Sequence, residues 1–145
     1  MRTLRGIVGM PVVLDGQCIG RVLWAEPDEK LREIRAIWFS GHCIGARRIG
    51  RDAIDRIGSV AIIARSRGVR AKIHARPLFR RAVSTDGARL GAVVDAEIDD
   101  ALQIRALWLS CGYPDDLLGG RIRIEQYSVP TGDAVLIPMG EEEKT

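Results

Sequence analysis

The sequence predicts an all-β protein, two small β-barrels in tandem related by internal pseudo-symmetry, with at most short helical turns. Three observations predict it. A block of residues recurs at an offset of 71 or 70 along the chain. Each copy carries an Asp-Gly turn flanked by apolar runs, and those runs are short and rich in β-branched residues.

The recurrence is read directly. Asp15-Gly16-Gln17-Cys18-Ile19-Gly20-Arg21-Val22 returns as Asp86-Gly87-Ala88-Arg89-Leu90-Gly91-Ala92-Val93, and Ala25-Glu26 returns as Ala96-Glu97. Ile34-Arg35-Ala36-Ile37-Trp38-Phe39-Ser40 returns as Ile104-Arg105-Ala106-Leu107-Trp108-Leu109-Ser110, with one residue lost between the two blocks. Gly58 to Ile63 matches Gly132 to Ile137, and the extra residues of the second copy fall in the loop around Gly112 to Gly120, where a duplicated fold tolerates insertion. Order, spacing and a rare Trp all agree, so the chain is read as a duplication.

Each copy reads as strands. Met10 to Leu14 is an apolar run that stops at Asp15-Gly16, and Cys18 to Ala25 resumes it with Ile19, Val22 and Trp24, which predicts a hairpin. Asp28-Glu29-Lys30 supplies the next turn. In Ile34 to Phe39 the residues Ile34, Ala36 and Trp38 alternate with Arg35 and Ile37, predicting one buried and one partly wet face. Ala46 to Ile49 is short and basic, Arg51 to Ile57 is read as one helical turn, and Ser59 to Ala64 as the closing strand. Trp38 and Trp108, at matching places, are predicted to anchor the core. Trp24 has Val94 or Asp95 at its matching place and is predicted to be an exposed contact residue. Gly16, Gly20, Gly87 and Gly91 give Gly-x-x-x-Gly twice; strand rather than helix follows, so turn and bulge duty is expected in place of a phosphate cradle.

The leading Gly9-Met10-Pro11-Val12-Val13, the Asp-Gly-x-x-Ile-Gly-x-Val at residues 15–22, the acidic turn and the two later apolar strands resemble the PRC-barrel module, named for the photosynthetic reaction centre whose H subunit carries it and also found in a ribosome-maturation protein. The resemblance covers residues 3–65 and 77–138 as two copies. The second departs from the pattern at its entry, where Arg80-Arg81-Ala82 replaces Gly9-Met10-Pro11. It implies the barrel fold and a non-catalytic adaptor that docks onto protein or nucleoprotein partners, and it supplies no catalytic residues. The expected organisation is a first module at 1–65, a basic linker at 66–76, a second module at 77–140 and an acidic disordered tail at 141–145.

Composition bounds the remaining classes. At 145 residues, with 46% apolar and 28% charged residues, the chain is long enough for a packed core. It lacks an uncharged apolar run of membrane-spanning length and a secretory h-region at its start, so a soluble, cytoplasmic protein without membrane insertion is expected. Cys18, Cys43 and Cys111 form an odd set without CxxC spacing, read as free thiols that behave as small buried hydrophobes.

Enzyme chemistry finds little to work with. His42 and Cys43 are neighbours that a strand would point to opposite faces, which opposes a shared metal, and His74 stands apart. Cys43 and Cys111 do not recur at equivalent places as a nucleophile would need, and the pairs Asp99-Asp100 and Asp115-Asp116 read as solvated turns. No catalytic residue, cofactor or metal is expected.

Charge is the informative feature. Lys plus Arg against Asp plus Glu runs 6 to 5 over residues 1–46, 11 to 2 over 47–81 and 5 to 12 over 82–145. Nineteen of the twenty-two cations are Arg, whose planar fork suits carboxylate or phosphate. The partner-binding candidates are therefore Arg47, Arg48, Arg51, Arg65, Arg67, Arg70, Lys72 and Arg76, with Trp24. The leading expectation is a non-enzymatic adaptor for a protein partner. A ribosome- or RNA-associated factor using the strip 47–81 is the alternative; with Phe79 the one aromatic in the basic segment, its contacts would be electrostatic, with a log-log salt slope of about −3 to −4 for about four phosphates. A small-ligand protein or enzyme using Cys43, His42 or a pocket between the barrels comes third, and self-association is a further option.

Overall fold

The structure, a computed structural model, describes residues 2–41, 45–72, 80–110, 121–131 and 134–138. Its strands are β1 (Arg2–Thr3), β2 (Pro11–Leu14), β3 (Gln17–Pro27), β4 (Ile34–Ser40), β5 (Ala46–Gly50), β6 (Ile54–Ile57), β7 (Ile62–Ala64), β8 (Val69–Arg70), β9 (Arg81–Ser84), β10 (Arg89–Ile98), β11 (Ile104–Ser110), β12 (Arg121–Ile124), β13 (Ser128–Thr131) and β14 (Ala134–Ile137). Among the described residues the one helical element is a 3-10 turn at Arg51–Ala53. It runs straight into β6, so the helix expected at Arg51 to Ile57 is confined to its first three residues; β-branched Ile54 and Ile57 are buried as strand residues instead.

The protein is all-β and barrel-like, with two seven-stranded sheets of matching topology. The first runs β6-β7-β2-β3-β4-β5-β8. The second runs β12-β11-β10-β9-β14-β13, with β1 added on β10. The duplication is visible in the pairing. Val12 lies beside Ile62 in a parallel ladder and Val83 beside Leu136 in another, which are the partners that the sequence repeat aligns. Asp15-Gly16 turns between β2 and β3 with φ of 51° and 80°, the left-handed pair that a two-residue hairpin needs. Gly20 is dictated by contact, because a Cβ there would lie 1.8 Å from the Ser40 carbonyl oxygen.

Two connections were not written in the repeat. The chain's first strand pairs with the second copy, Arg2 opposite Ile98 and Thr3 opposite Glu97. Val69 and Arg70, from the segment expected as linker, form β8 on the edge of the first sheet, with Arg70 opposite Arg47.

One apolar cluster runs through both sheets. It contains Val22, Ile37, Phe39 and Ile62 from the first and Val93, Leu107, Leu109 and Val135 from the second. Strand alternation puts Ile37 and Phe39 on the opposite face from Ala36 and Trp38. The burial of β4 follows the expected division: Ile34, Ala36 and Trp38 are buried, and the other face is partly wet, with Arg35 exposed and Ile37 and Phe39 buried. Trp38 is buried, as expected, although it stands outside the main apolar cluster, whereas Trp108 is only half-buried and departs from the core role expected of it. Cys18 is exposed, contrary to its reading as a buried hydrophobe; it sits at the hairpin start beside the turn. Cys43 and Cys111 lie outside the described residues.

The sheets meet where the β3–β4 and β10–β11 turns touch. The Ile34 amide donates to the Leu102 carbonyl (2.8 Å) and the Ile104 amide to the Arg32 carbonyl (2.8 Å), a reciprocal pair. Lys30 donates to the Val129 carbonyl (2.8 Å), Arg80 to the Glu29 carbonyl (2.6 Å), and the Arg32 guanidinium stacks 4.2 Å from the Tyr127 ring centre.

Candidate functional site

The outer faces of the two sheets carry the same polar cluster. In the first, antiparallel registers set Trp38 of β4 between Trp24 of β3 and Arg48 of β5. Trp38 Nε1 donates to Glu26 Oε1 (2.9 Å), Arg48 Nε donates to the same oxygen (3.0 Å), and Arg48 Nη2 donates to Oε2 (2.9 Å). In the second, Arg123 grips Glu97 through Nε (2.7 Å) and Nη2 (3.0 Å), and Trp108 contributes a further hydrogen bond. Arg123 also donates to Glu125 Oε1 (2.8 Å).

A bidentate guanidinium is the strongest partner that a carboxylate finds in a protein. The Arg48 hydrogen bonds hold Glu26 below its ordinary pKa against the opposing effect of burial, and Arg123 does the same for Glu97. Both guanidiniums are pushed upward in turn, chiefly by those carboxylates. Such carboxylates are structural ion pairs and poor proton acceptors at neutral pH.

A pH dependence follows. Because both folded-state pKa values are depressed, the stability these groups contribute is present above the unfolded glutamate value of about 4.3 and is lost as pH falls through the lower folded values. The melting temperature is expected to drop across that acidic window. The Glu26→Gln/Glu97→Gln variant should be less stable at neutral pH and show a flatter profile below about pH 4.3; thermal melts at stepped pH measure both, and an unaltered slope counts against the paired clusters.

The sequence-predicted strip divides into two groups. Arg48 is committed to Glu26. Arg51 pairs with Glu33 and donates to the Ala101 carbonyl (3.0 Å) across the junction, and Arg65 pairs with Asp55 (3.0 Å) at an exposed site worth little. The other group lies along the β5–β8 edge. Arg47 donates to the carbonyls of Arg67 (2.9 Å) and Gly68 (3.2 Å), which shapes the turn into β8. Gly68 has φ of 66°, and a Cβ there would sit 2.4 Å from the Arg48 carbonyl oxygen. Arg67, Arg70 and Lys72 are exposed and form no ion pair among the described residues, and Val69 between them is 63% exposed. Arg76, His42, His74, Phe79 and the pair Asp115-Asp116 lie outside the described residues.

Trp24 is corrected. It is half-buried and packs against the apolar cluster, and the register shift between Val22 and Trp24 sets it opposite Trp38. Asp99 is also more than a solvated turn residue. Its Oδ1 accepts the Ala101 and Gln103 amides (2.9 Å each), and its Oδ2 accepts Arg105 Nε (2.6 Å).

Sequence reasoning missed Glu26, Glu97 and Arg123. The recurrence of Ala25-Glu26 at Ala96-Glu97 was the available signal for the carboxylates. Among the described residues no group of three or more His, Cys, Asp or Glu is placed to hold a metal ion, and no helix is long and apolar enough to cross a membrane. Comparison with protein-family models finds no match to the chain, and comparison with curated proteins finds none.

Proposed function

We propose that the chain is a non-enzymatic adaptor of two PRC-barrel-like units that docks onto an acidic protein segment through the β5–β8 edge of the first sheet. One observation carries the reading. At this edge Arg67, Arg70 and Lys72 stand exposed with no carboxylate partner among the described residues, with Arg47 opposite Arg70, while Arg48, Arg51 and Arg65 are consumed by intrachain partners. A sheet edge also offers unpaired backbone groups to an added strand. Like charges along β8 keep two copies from pairing there, and the same charges attract an extended acidic segment, so the edge discriminates by sign. These cations fit this role better than a purely solubilising one, because they flank the turn into β8 that Arg47 ties down through the Arg67 and Gly68 carbonyls.

Fluorescence anisotropy with a labelled Glu/Asp-rich peptide and a labelled oligouridylate tests it. The peptide is expected to bind at low salt and to weaken as screening sets in beyond a Debye length of about 8 Å at physiological ionic strength. The Arg67→Ala/Arg70→Ala/Lys72→Ala variant, whose fold should be unchanged, is expected to lose at least about tenfold in affinity. Equal binding by the variant, or binding of oligouridylate alone, overturns the proposal.

A further inference from the structure

The second sheet differs from the first at one register position. Opposite Trp38 the first sheet has Trp24, half-buried on the core rim; opposite Trp108 the second has Asp95. At that position lies a cleft of about 440 Å³, lined among the described residues by Thr3, Asp95, Glu97, Trp108 and Arg121. That volume lies within the range of small-molecule sites. Trp108 is left half-buried where Trp38 is covered.

The lining groups are not equally free. Glu97 is satisfied by the Arg123 fork and by Trp108. Asp95 is 7% exposed; its Oδ1 accepts the Arg5 amide (3.1 Å) and the Ala96 amide (2.9 Å), whereas Oδ2 has no hydrogen-bond partner among the described residues. A carboxylate oxygen so deeply placed calls for a donor. Arg121 is exposed on β12 and forms no ion pair among the described residues. Thr3 Oγ1 accepts the Gly6 amide (3.0 Å), which leaves its hydroxyl proton to donate.

We propose that this cleft binds a zwitterion of the α-amino-acid class with an apolar side chain. The ammonium group is the donor for Asp95 Oδ2, the carboxylate pairs with Arg121, and the side chain lies against the Trp108 indole. Both signs of charge are needed. A simple amine would be attracted by Asp95 and repelled by Arg121, and a simple carboxylate would meet the reverse, so neither half alone satisfies both walls. The site is separate from the β5–β8 edge, and the edge variant leaves it intact.

Isothermal titration of the whole chain with L-leucine, 3-methylbutylamine and 4-methylpentanoate tests the proposal, since the second and third probes are leucine without its carboxylate and without its ammonium group. Leucine is expected to bind at least about tenfold more tightly than either fragment, as loss of one charge-assisted contact predicts. Asp95→Asn, which preserves shape and can still accept the two amides, and Arg121→Met should each weaken leucine by about tenfold with melting temperatures near wild type. The Arg67→Ala/Arg70→Ala/Lys72→Ala variant should bind leucine as wild type does. Absence of leucine binding at millimolar concentration, fragments that bind as well as leucine, or an Asp95→Asn variant with undiminished affinity overturns the site.

Discussion

Truncating Phe39 to alanine is expected to lower the stability of the whole chain by about 3–5 kcal/mol, in a single unfolding transition. The ring is fully buried in the cluster that joins the two sheets. Removing it deletes transfer free energy and leaves a cavity that the surrounding strands relax into only in part, the two effects that put large aromatic truncations at the top of the range. Collapse is hindered on one side, because the ring lies over Gly20, where a Cβ would meet Phe39 Cδ2 at 2.8 Å, and the Ser40 carbonyl beside it fixes the backbone. Against a total stability of about 5–15 kcal/mol, the loss is a large fraction. The single transition distinguishes a shared core from two independent barrels. Urea denaturation followed by far-UV circular dichroism and by Trp fluorescence should give coincident midpoints that move together in the variant. Two transitions, with only one displaced, would show that each copy folds around a core of its own.

The residues show why some of this was legible and some was not. Asp15-Gly16 and Asp86-Gly87 are local signals, since a two-residue turn needs positive φ whatever the rest of the chain does, and β3, read as Cys18 to Ala25, extends only from Gln17 to Pro27. The β4 strand and the burial of its faces were legible, and which face meets the apolar cluster was not. Period-2 alternation states which residues share a face, but when Ala36 and Trp38 alternate with Ile37 and Phe39 both faces are apolar, and the choice between them depends on what packs from elsewhere. The Trp rings went to the polar side because Glu26 and Glu97 are there to accept their indole protons, a contact between strands. Arg48 and Arg123 were hidden as equivalents by the unequal lengths of chain that follow Ser40 and Ser110. The β1–β10 pairing joins residues nearly a hundred positions apart, and the repeat does not encode it because the recurring blocks begin at Asp15, after β1. For the basic strip, composition gave the charge and its location; only the register could separate Arg48, locked on Glu26, from Arg70, open on the edge.

At the junction of the sheets, Leu31→Ala should cost about 2–5 kcal/mol, and Leu31→Gly should cost about 1 kcal/mol less, reversing the order seen at ordinary buried positions. Leu31 and its repeat partner Leu102 both hold positive φ, 55° and 64°, and both are buried. A left-handed Leu costs about 1–2 kcal/mol, while burying its side chain returns about 1.5–3 kcal/mol, so the apolar contact decides the residue and the strain is tolerated. Asp28 Oδ1 holds the turn by accepting the Arg32 (2.7 Å) and Glu33 (3.1 Å) amides, as Asp99 does for the second copy. The Leu31 carbonyl in turn accepts the Tyr127 hydroxyl, and the Leu102 carbonyl accepts the Ile34 amide, so each strained peptide is tied to the opposite sheet. Alanine keeps the left-handed cost and forfeits the burial; glycine forfeits the burial but is released from the cost. Chemical denaturation of the two variants therefore reads the backbone conformation as well as the packing. An alanine variant more stable than the glycine variant would mean that Leu31 is not left-handed in solution, and with it would fall the reciprocal contact by which the two copies are joined.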